Sequence, residues 1–285
     1  MSTRKTGRDS RVNKKIMALH FSRSASTYEK HATLQREIAW QLVDWAAPRL
    51  DFPGGGPRAA LDIGCGTGFL TGFLLDRLHP GSLVGIDLAG GMLDRARGVC
   101  VNGTVRLVRA DGERLPFAPA SFDLVASSTA FQWFAAPADS LARIGRVLEP
   151  GGRLVFATMG HGTLRELKES YREAAGRMGI KLAVGRYGPP LMGEPELNNA
   201  LQAAGYSGIE CECRTKLEYF PGCREFIRSL KARGANNPNF RPMSIGAERR
   251  LLSLLAETYE RRFTSDGLVY ATYEVIFCSC RRENG

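Results

Sequence analysis

The chain is 285 residues long and 44% hydrophobic, which suits one large domain, or one domain with a sizeable insertion. No window approaches the ~18 consecutive apolar residues of a membrane span, and no apolar stretch directly follows the opening "MSTRKTGRDSRVNKK", so neither a membrane protein nor a secretory signal is expected. The net charge of +10 is concentrated in residues 1–15 and 224–262, each with five excess positive charges, while 16–223 is nearly neutral. That distribution, without an aromatic-basic groove pattern or an N/D-P-P-[YF] motif, argues against a nucleic-acid partner.

Residues 1–11 read as a disordered basic tail. Apolar positions at helical spacing (Ile16, Leu19, then Leu34, Ile38, Leu42, Trp45) predict two helices over 12–47, broken near "SRSASTYE". "FPGGGPR" (52–58) is a loop. An alternation then begins: strand "AALDI", helix "GFLTGFLLDRL", strand "SLVGID", helix "GGMLDRARGV", strand "VRLVRAD", strand "FDLVASS", helix "ADSLARIGRVL", a turn at "EPGG" and strand "RLVFATM". Over 58–158 this pattern predicts an α/β fold, a parallel sheet flanked by helices. Beyond 160 a helix (163–178), the Gly/Pro-rich "VGRYGPPLMGEP", a helix (195–204) and a strand (207–219) are expected. Helices over 222–233 and 246–262 follow, and "GLVYATYEVIFCSCRR" reads as a last strand pairing with 207–219.

The chemistry begins at "LDIGCGTGFL" (61–70), between a strand and a helix. Gly64, Gly66 and Gly68 allow a tight turn and a close approach of backbone to ligand, and the following helix aims its free amides at the same spot. Asp87 ends the next strand nineteen residues after Gly68, where an acid commonly holds ribose hydroxyls. The third glycine is one place too early for G-x-G-x-x-G, since 69 is Phe, and no G-K-[ST] follows. A nucleoside-containing cofactor at the strand ends is expected. Asp62 is either a loop anchor or a partner for a cationic cofactor.

The spacing D-x-G-x-G-x-G resembles that of class I S-adenosylmethionine-dependent methyltransferases, and further matches follow in order. "GIDLAGGML" offers Asp87 and Met92, and "RADGERLPF" offers Asp111 and Gly112 where that class holds adenine. "FDLVASSTAFQWF", with Ser127, corresponds to the segment lining the reaction centre, and "LEPGGRLVF" to the turn into the fifth strand. Each has a plainer alternative: Asp111 capping "DGERLP", and Met92, Trp133 and Phe134 packing in the core.

The outer segments resemble a narrower family, the malonyl-acyl-carrier-protein O-methyltransferases of biotin synthesis. Its V-N-K, F-x-R-A/S-A, Y-E-x-H-A and L-Q-R signatures have counterparts in Val12–Lys14, "FSRSA" (21–25), "YEKHA" (28–32) and "LQR" (34–36). Its "RSLK-x-x-GA" corresponds to Arg228–Ala235, its "QW" to Gln132–Trp133, and its closing strand is echoed by "ATYEVIF". Residues 1–11, "FPGGGPR" and "CEC" depart from the pattern. The resemblance implies a Rossmann-like sheet with N-terminal helices (12–57), a cofactor core (58–158), a helical insertion over the active site with late helices (159–262) and a final strand (263–285). It also implies S-adenosylmethionine as cofactor and methyl transfer to the free carboxylate of a malonyl thioester, on acyl carrier protein or coenzyme A. Tyr28, His31, Gln132 and Trp133 would then lie near the reaction centre, with N-terminal helix packing the alternative for Tyr28 and His31. Arg228, Lys231 and Arg233 would meet carboxylates of an acidic carrier, or phosphate, or else form a solvated helix face. A carboxylate with a pKa of ~4 is already ionised at neutral pH, so such chemistry needs positioning more than a base.

An odd count of seven Cys without a signal reads as reduced thiols in a cytoplasmic protein. The C-x-C pairs 211/213 and 278/280 point to packing on neighbouring strands rather than to metal. The alternative function is methyl transfer to another small carboxylate or a quinone precursor.

Overall fold

A computed structural model describes residues 13–99, 103–180, 191–233 and 243–283; the basic tail read at 1–11 and most of the Gly/Pro-rich loop lie outside them. Two helices, α1 (Lys14–His31) and α2 (Thr33–Ala46), precede β1 (Ala59–Ile63), α3 (Phe69–Leu78), β2 (Ser82–Asp87), α4 (Gly90–Ala96) and β3 (Val105–Arg109). Next come β4 (Phe122–Ser128), α5 (Pro137–Val147), β5 (Leu148–Met159), α6 (Arg165–Arg177) and α7 (Glu194–Ala203). The chain ends through β6 (Tyr206–Phe220), α8 (Cys223–Ala232), α9 (Ile245–Arg262), β7 (Thr264–Ser265) and β8 (Leu268–Arg282).

All lie on or against one sheet of order β3-β2-β1-β4-β5-β8-β6, with β7 paired to β8. The pairs from β3 to β5 are parallel, and β8 runs antiparallel to both β5 and β6. Because β1 leads to β2 on one side and the chain later returns to β4 on the other, the strand order reverses between β1 and β4. Ligands of open α/β sheets lie beyond the C-terminal strand ends at such a reversal, where the glycine loop begins.

Strand alternation builds a core on each face. Tyr273, Val275 and Phe277 of β8 join α2, α3, α6, α8 and α9. Ile276, Cys278 and Cys280 face the opposite way, toward α5 and α7. Among the described residues no helix is long and apolar enough to cross a membrane.

Three expectations need correction. The break in the N-terminal helices is not near "SRSASTYE": α1 runs through it, and the chain turns at the fully buried Ala32. The Ser24 and Thr27 hydroxyls donate to the carbonyls of Phe21 and Ser24 within the helix, both at 3.2 Å, so residues that often end helices are accommodated in this one. "EPGG" is not a turn preceding β5 but lies within it; the register slips between Phe122↔Leu148 and Leu124↔Arg153, which makes the segment an irregularity in the strand. Finally, the thiols are not all reduced. Cys211 and Cys278 sit directly opposite on β6 and β8, with Cα atoms 4.3 Å apart, and form a disulfide. Counting cysteines cannot reveal a register. Among the described residues Cys213 is exposed, Cys280 is buried, and no set of three His, Cys, Asp or Glu could hold a metal.

Candidate active site

The glycine loop is held by its neighbour strand: Gly64 and Cys65 donate to the Ile86 carbonyl at 2.8 and 2.9 Å. Gly64 has φ +74°, and a Cβ there would lie 2.4 Å from the Ala130 Cβ, so the ends of β1 and β4 close tightly. Gly66 has φ +56° and the opposite surroundings: no atom lies within 4 Å of where its Cβ would be. It borders a cleft of about 920 Å³ that also reaches Asp87, Met92, Asp111 and Gly112. Gly68 caps α3.

Two carboxylates stand behind the loop. Asp87 accepts from the amides of Gly66 (3.0 Å) and Ala89 (2.7 Å). Desolvation raises its pKa, and the amides of Ala89, Gly66 and Leu88 work against that. Asp62 is wholly buried. Thr71 donates to its Oδ2 at 2.7 Å, while Oδ1 has no partner. Burial pushes its carboxyl up to about 7, the Thr71 hydroxyl opposes this, and the charge of Asp87 adds to it.

Helix α1 roofs the cleft through Lys14, Met17, Phe21 and Tyr28. Lys14 donates to both oxygens of Asp111 at 2.7 Å and reaches Glu113. Asp111 also accepts from the Glu113 amide at 2.9 Å, so it both borders the cleft and caps its loop. Burial alone would raise the Glu113 pKa, but Lys14 and the amides of Ala135 and Ala136 hold it below the usual carboxylate range. Met92 is likewise both core and wall, packed with Phe21 and Tyr28 of α1.

A second cavity of about 830 Å³ adjoins the first and shares Phe21, Tyr28, Gln35, Thr129 and Trp133 with it. The Phe21 and Trp133 rings meet edge to face at 5.5 Å. Gln132 and Lys168 of α6 line its wall, as do Arg233 and Tyr273. The Arg233 side chain is buried. Its Nη1 and Nη2 donate to the two oxygens of Glu218 at 2.8 and 3.0 Å, and Nη1 reaches the Tyr273 hydroxyl at 3.4 Å; Nε has no partner. Burial raises the Tyr28 pKa, the negative Asp87 raises it further, and the positive Arg233 lowers it. The phenol thus lies within electrostatic reach of both cavities' charged groups and stays protonated.

Tyr28, Gln132 and Trp133 therefore come together at the second cavity, and Gly64, Gly66, Asp87, Met92, Asp111 and Gly112 border the first cleft, while Asp62 and Gly68 stand behind its lining. Three expected residues do not fit. Ser127 is buried with its hydroxyl on the Ile63 carbonyl at 2.8 Å; Ser128 and Thr129 border the cleft instead. His31 is exposed on the last turn of α1 and borders neither cavity. Arg233 is no surface charge. Arg228, paired with Glu225 at 2.9 Å, and Lys231 do stand exposed on α8. Sequence reasoning passed over Lys168, Thr129, Tyr273 and Glu218 as site residues. Tyr273 lay in the quoted "ATYEVIF", but nothing in sequence distance tied it to Arg233.

A family model described as a methyltransferase domain matches residues 61–156. The malonyl-[acyl-carrier protein] O-methyltransferase of Acetivibrio thermocellus is 34% identical over 282 residues, covering 95% of each chain. That of Geobacter sulfurreducens is 34% identical over 260 residues, 90% of this chain and 94% of its own. The biotin biosynthesis bifunctional protein BioHC of Cellvibrio japonicus is 36% identical over 93% of this chain, which spans only 50% of that relative. Among solved structures, the YcgJ protein of Bacillus subtilis aligns with TM-score 0.60 at 15% identity over 86% of this chain and 99% of its own. Phosphoethanolamine N-methyltransferase 2 of Haemonchus contortus, in complex with S-adenosyl-L-methionine, aligns with TM-score 0.53 at 20% identity over 85% of this chain and 52% of its own. At these identities the two structures speak for the Rossmann-like fold alone.

Proposed function

This chain belongs to the malonyl-[acyl-carrier protein] O-methyltransferase family, and from that premise we propose that it transfers a methyl group from S-adenosylmethionine to the free carboxylate of a malonyl thioester. The observation that carries the reading is the pair of adjoining cavities, a glycine cradle in one and a buried guanidinium in the other, with Tyr28, Thr129 and Trp133 common to both.

The first cavity fits the cofactor because open space faces Gly66 at its wall, and behind that loop the fully buried Asp62 keeps an unpartnered oxygen. Asp87 would hold the ribose, Met92, Asp111 and Gly112 would border the adenine, and Asp62 would answer the cationic amino-acid end. When bound, the cofactor supplies a methyl group on a sulfonium. The residues of the second cavity then have a limited task. The acceptor carboxylate arrives ionised, so no base is required. Tyr28 offers an O–H donor at the shared wall, Gln132 an amide beside it, and Phe21 and Trp133 exclude water, which strengthens every charge interaction inside.

Exposed Arg228 and Lys231 on α8 support docking of an acidic carrier protein near this cavity. The product's use follows from its charge. A malonyl end is rejected by an apolar chain-elongation site, because burying an unpaired charge is expensive; the methyl ester removes it, which primes pimeloyl synthesis for biotin.

The test is transfer of labelled methyl to malonyl carrier protein, malonyl-CoA, free malonate and acetyl-CoA side by side. Label should enter the malonyl thioesters as a base-labile ester and leave acetyl-CoA untouched. Label on the acetyl thioester, or on neither malonyl thioester, would refute the proposed acceptor.

A further inference from the structure

We propose that Arg233 is the residue that selects a carboxylate as methyl acceptor, by pairing its guanidinium with the acid end of the acyl group; this rests on the acceptor reading above. Two cations border the second cavity. Lys168 gives one of its three donors to the His161 carbonyl at 2.9 Å and stands within electrostatic reach of Glu166 and Glu274. Arg233 is differently placed. Its Nη groups are taken end-on by Glu218, which leaves the Nε edge of a five-donor fork unused, and the buried Nε–H lacks a partner. A guanidinium can hold two carboxylates at once through different edges. Glu218 keeps the arginine fixed and charged in the interior, and the Tyr273 hydroxyl adds to its orientation. Tyr28, between this guanidinium and the cofactor side, marks the direction in which the free oxygen of the bound carboxylate must point.

In the reaction that oxygen gives an electron pair to the methyl carbon, the C–O bond forms as the C–S bond breaks, and the sulfonium becomes a neutral thioether. No proton moves. The ester formed can no longer pair with Arg233, so the same residue that captures the substrate loses its hold on the product.

Arg233→Gln alone strands Glu218 inside the protein, so the informative variant is the double R233Q/E218Q, which removes both charges at similar volume. Arg233→Lys keeps the charge but not the fork. Steady-state kinetics with malonyl-CoA and malonyl carrier protein, cofactor binding by calorimetry, and competition by the methyl-ester thioester are measured together. Cofactor affinity should be unchanged. Turnover per KM should fall about 100-fold on both thioesters in the double variant and about tenfold in R233K, and the double variant should no longer bind substrate more tightly than ester. A loss confined to carrier-borne malonate would make Arg233 a docking residue and overturn the proposal, as would undiminished preference for substrate over ester. Wild type active on malonyl thioesters, with the double variant equally active, would remove the anchor and leave the acceptor reading standing. Wild type inert toward them would remove both.

Discussion

The two adjoining cavities are built by different means. The cofactor cleft is largely a backbone object: Gly64 and Gly66 at positive φ, amides of Gly66 and Ala89 on Asp87, and strand ends that meet at a reversal of strand order. Most of its floor comes from one stretch, 61–156. The acceptor cavity is a side-chain object, gathered from α1, α6, the end of α8 and β8, segments separated by more than 200 residues. The first should therefore be most sensitive to added bulk at a single atom, and the second to lost charge.

The sharpest contrast is Gly66→Val. A side chain there meets no protein atom, so the sheet should form, with a penalty of roughly 1–2 kcal/mol for a left-handed residue that is not glycine. The branched side chain fills the cradle, and calorimetry should detect no S-adenosylmethionine binding. Binding within tenfold of wild type would mean the cofactor lies elsewhere. Next in size, Asp87→Ala removes the carboxylate proposed to hold the ribose, a role whose charge-assisted bonds would be worth roughly 1.5–3 kcal/mol. Cofactor affinity should fall about 10- to 150-fold while the KM for malonyl-CoA stays put. A matching rise in the acceptor KM would erase the division between the cavities.

The same division decided what could be read from sequence. The strands "AALDI", "SLVGID" and "FDLVASS" agree residue for residue with β1, β2 and β4, because glycines, acids and turns punctuate a contiguous α/β repeat. Gly66 and Asp87 were legible because they sit at fixed offsets from those strands. Ser127 was misplaced by one residue, since a strand sends neighbours to opposite sides. In the acceptor half the elements were legible but not their meeting. Arg233 was noticed as a helix charge, and its burial against Glu218 and Tyr273 follows from the pairing of β6 with β8. That pairing was expected, but its register, which also joins Cys211 to Cys278, is not written in local pattern.

A smaller effect concerns protons. Asp62 titrates near 7 in the free protein, against the usual 3.8. A carboxyl whose folded pKa is raised contributes stability below its unfolded pKa and loses it as pH rises through the folded value. The ligand-free enzyme should therefore lose stability between pH 4 and 8, a slope that Asp62→Asn flattens. A cationic group against the free Oδ1 reverses the preference, so cofactor binding should release a proton. Roughly a tenth of Asp62 is ionised at pH 6 and nine-tenths at pH 8, which predicts about tenfold tighter cofactor binding at pH 8, absent in Asp62→Asn. Calorimetry in two buffers of different ionisation heat reads the proton directly; equal heats in both would leave Asp62 a loop anchor and nothing more.

The smallest expected effect tests whether α1 belongs to one cavity or both. Phe21 and Tyr28 of this helix border the two cavities, yet its N-terminal tether, Lys14 on Asp111 and Glu113, touches only the cofactor side. Lys14 and Asp111 are each a quarter exposed, so solvent screens the pair and its worth is about 1 kcal/mol or less. Glu113 keeps the amides of Ala135 and Ala136 at 2.9 Å when the lysine is gone, so the loop itself should hold. Lys14→Met should thus loosen the first turn of the roof without moving its far end. Cofactor should bind at most about fivefold more weakly, chiefly through faster release, and 1 M salt should narrow the gap to wild type because the lost contact is one that salt already weakens. The KM for malonyl-CoA should not change. If it rises in step with that of the cofactor, α1 moves as a rigid plate over both cavities, and the backbone-built cleft and the charge-built cavity open together.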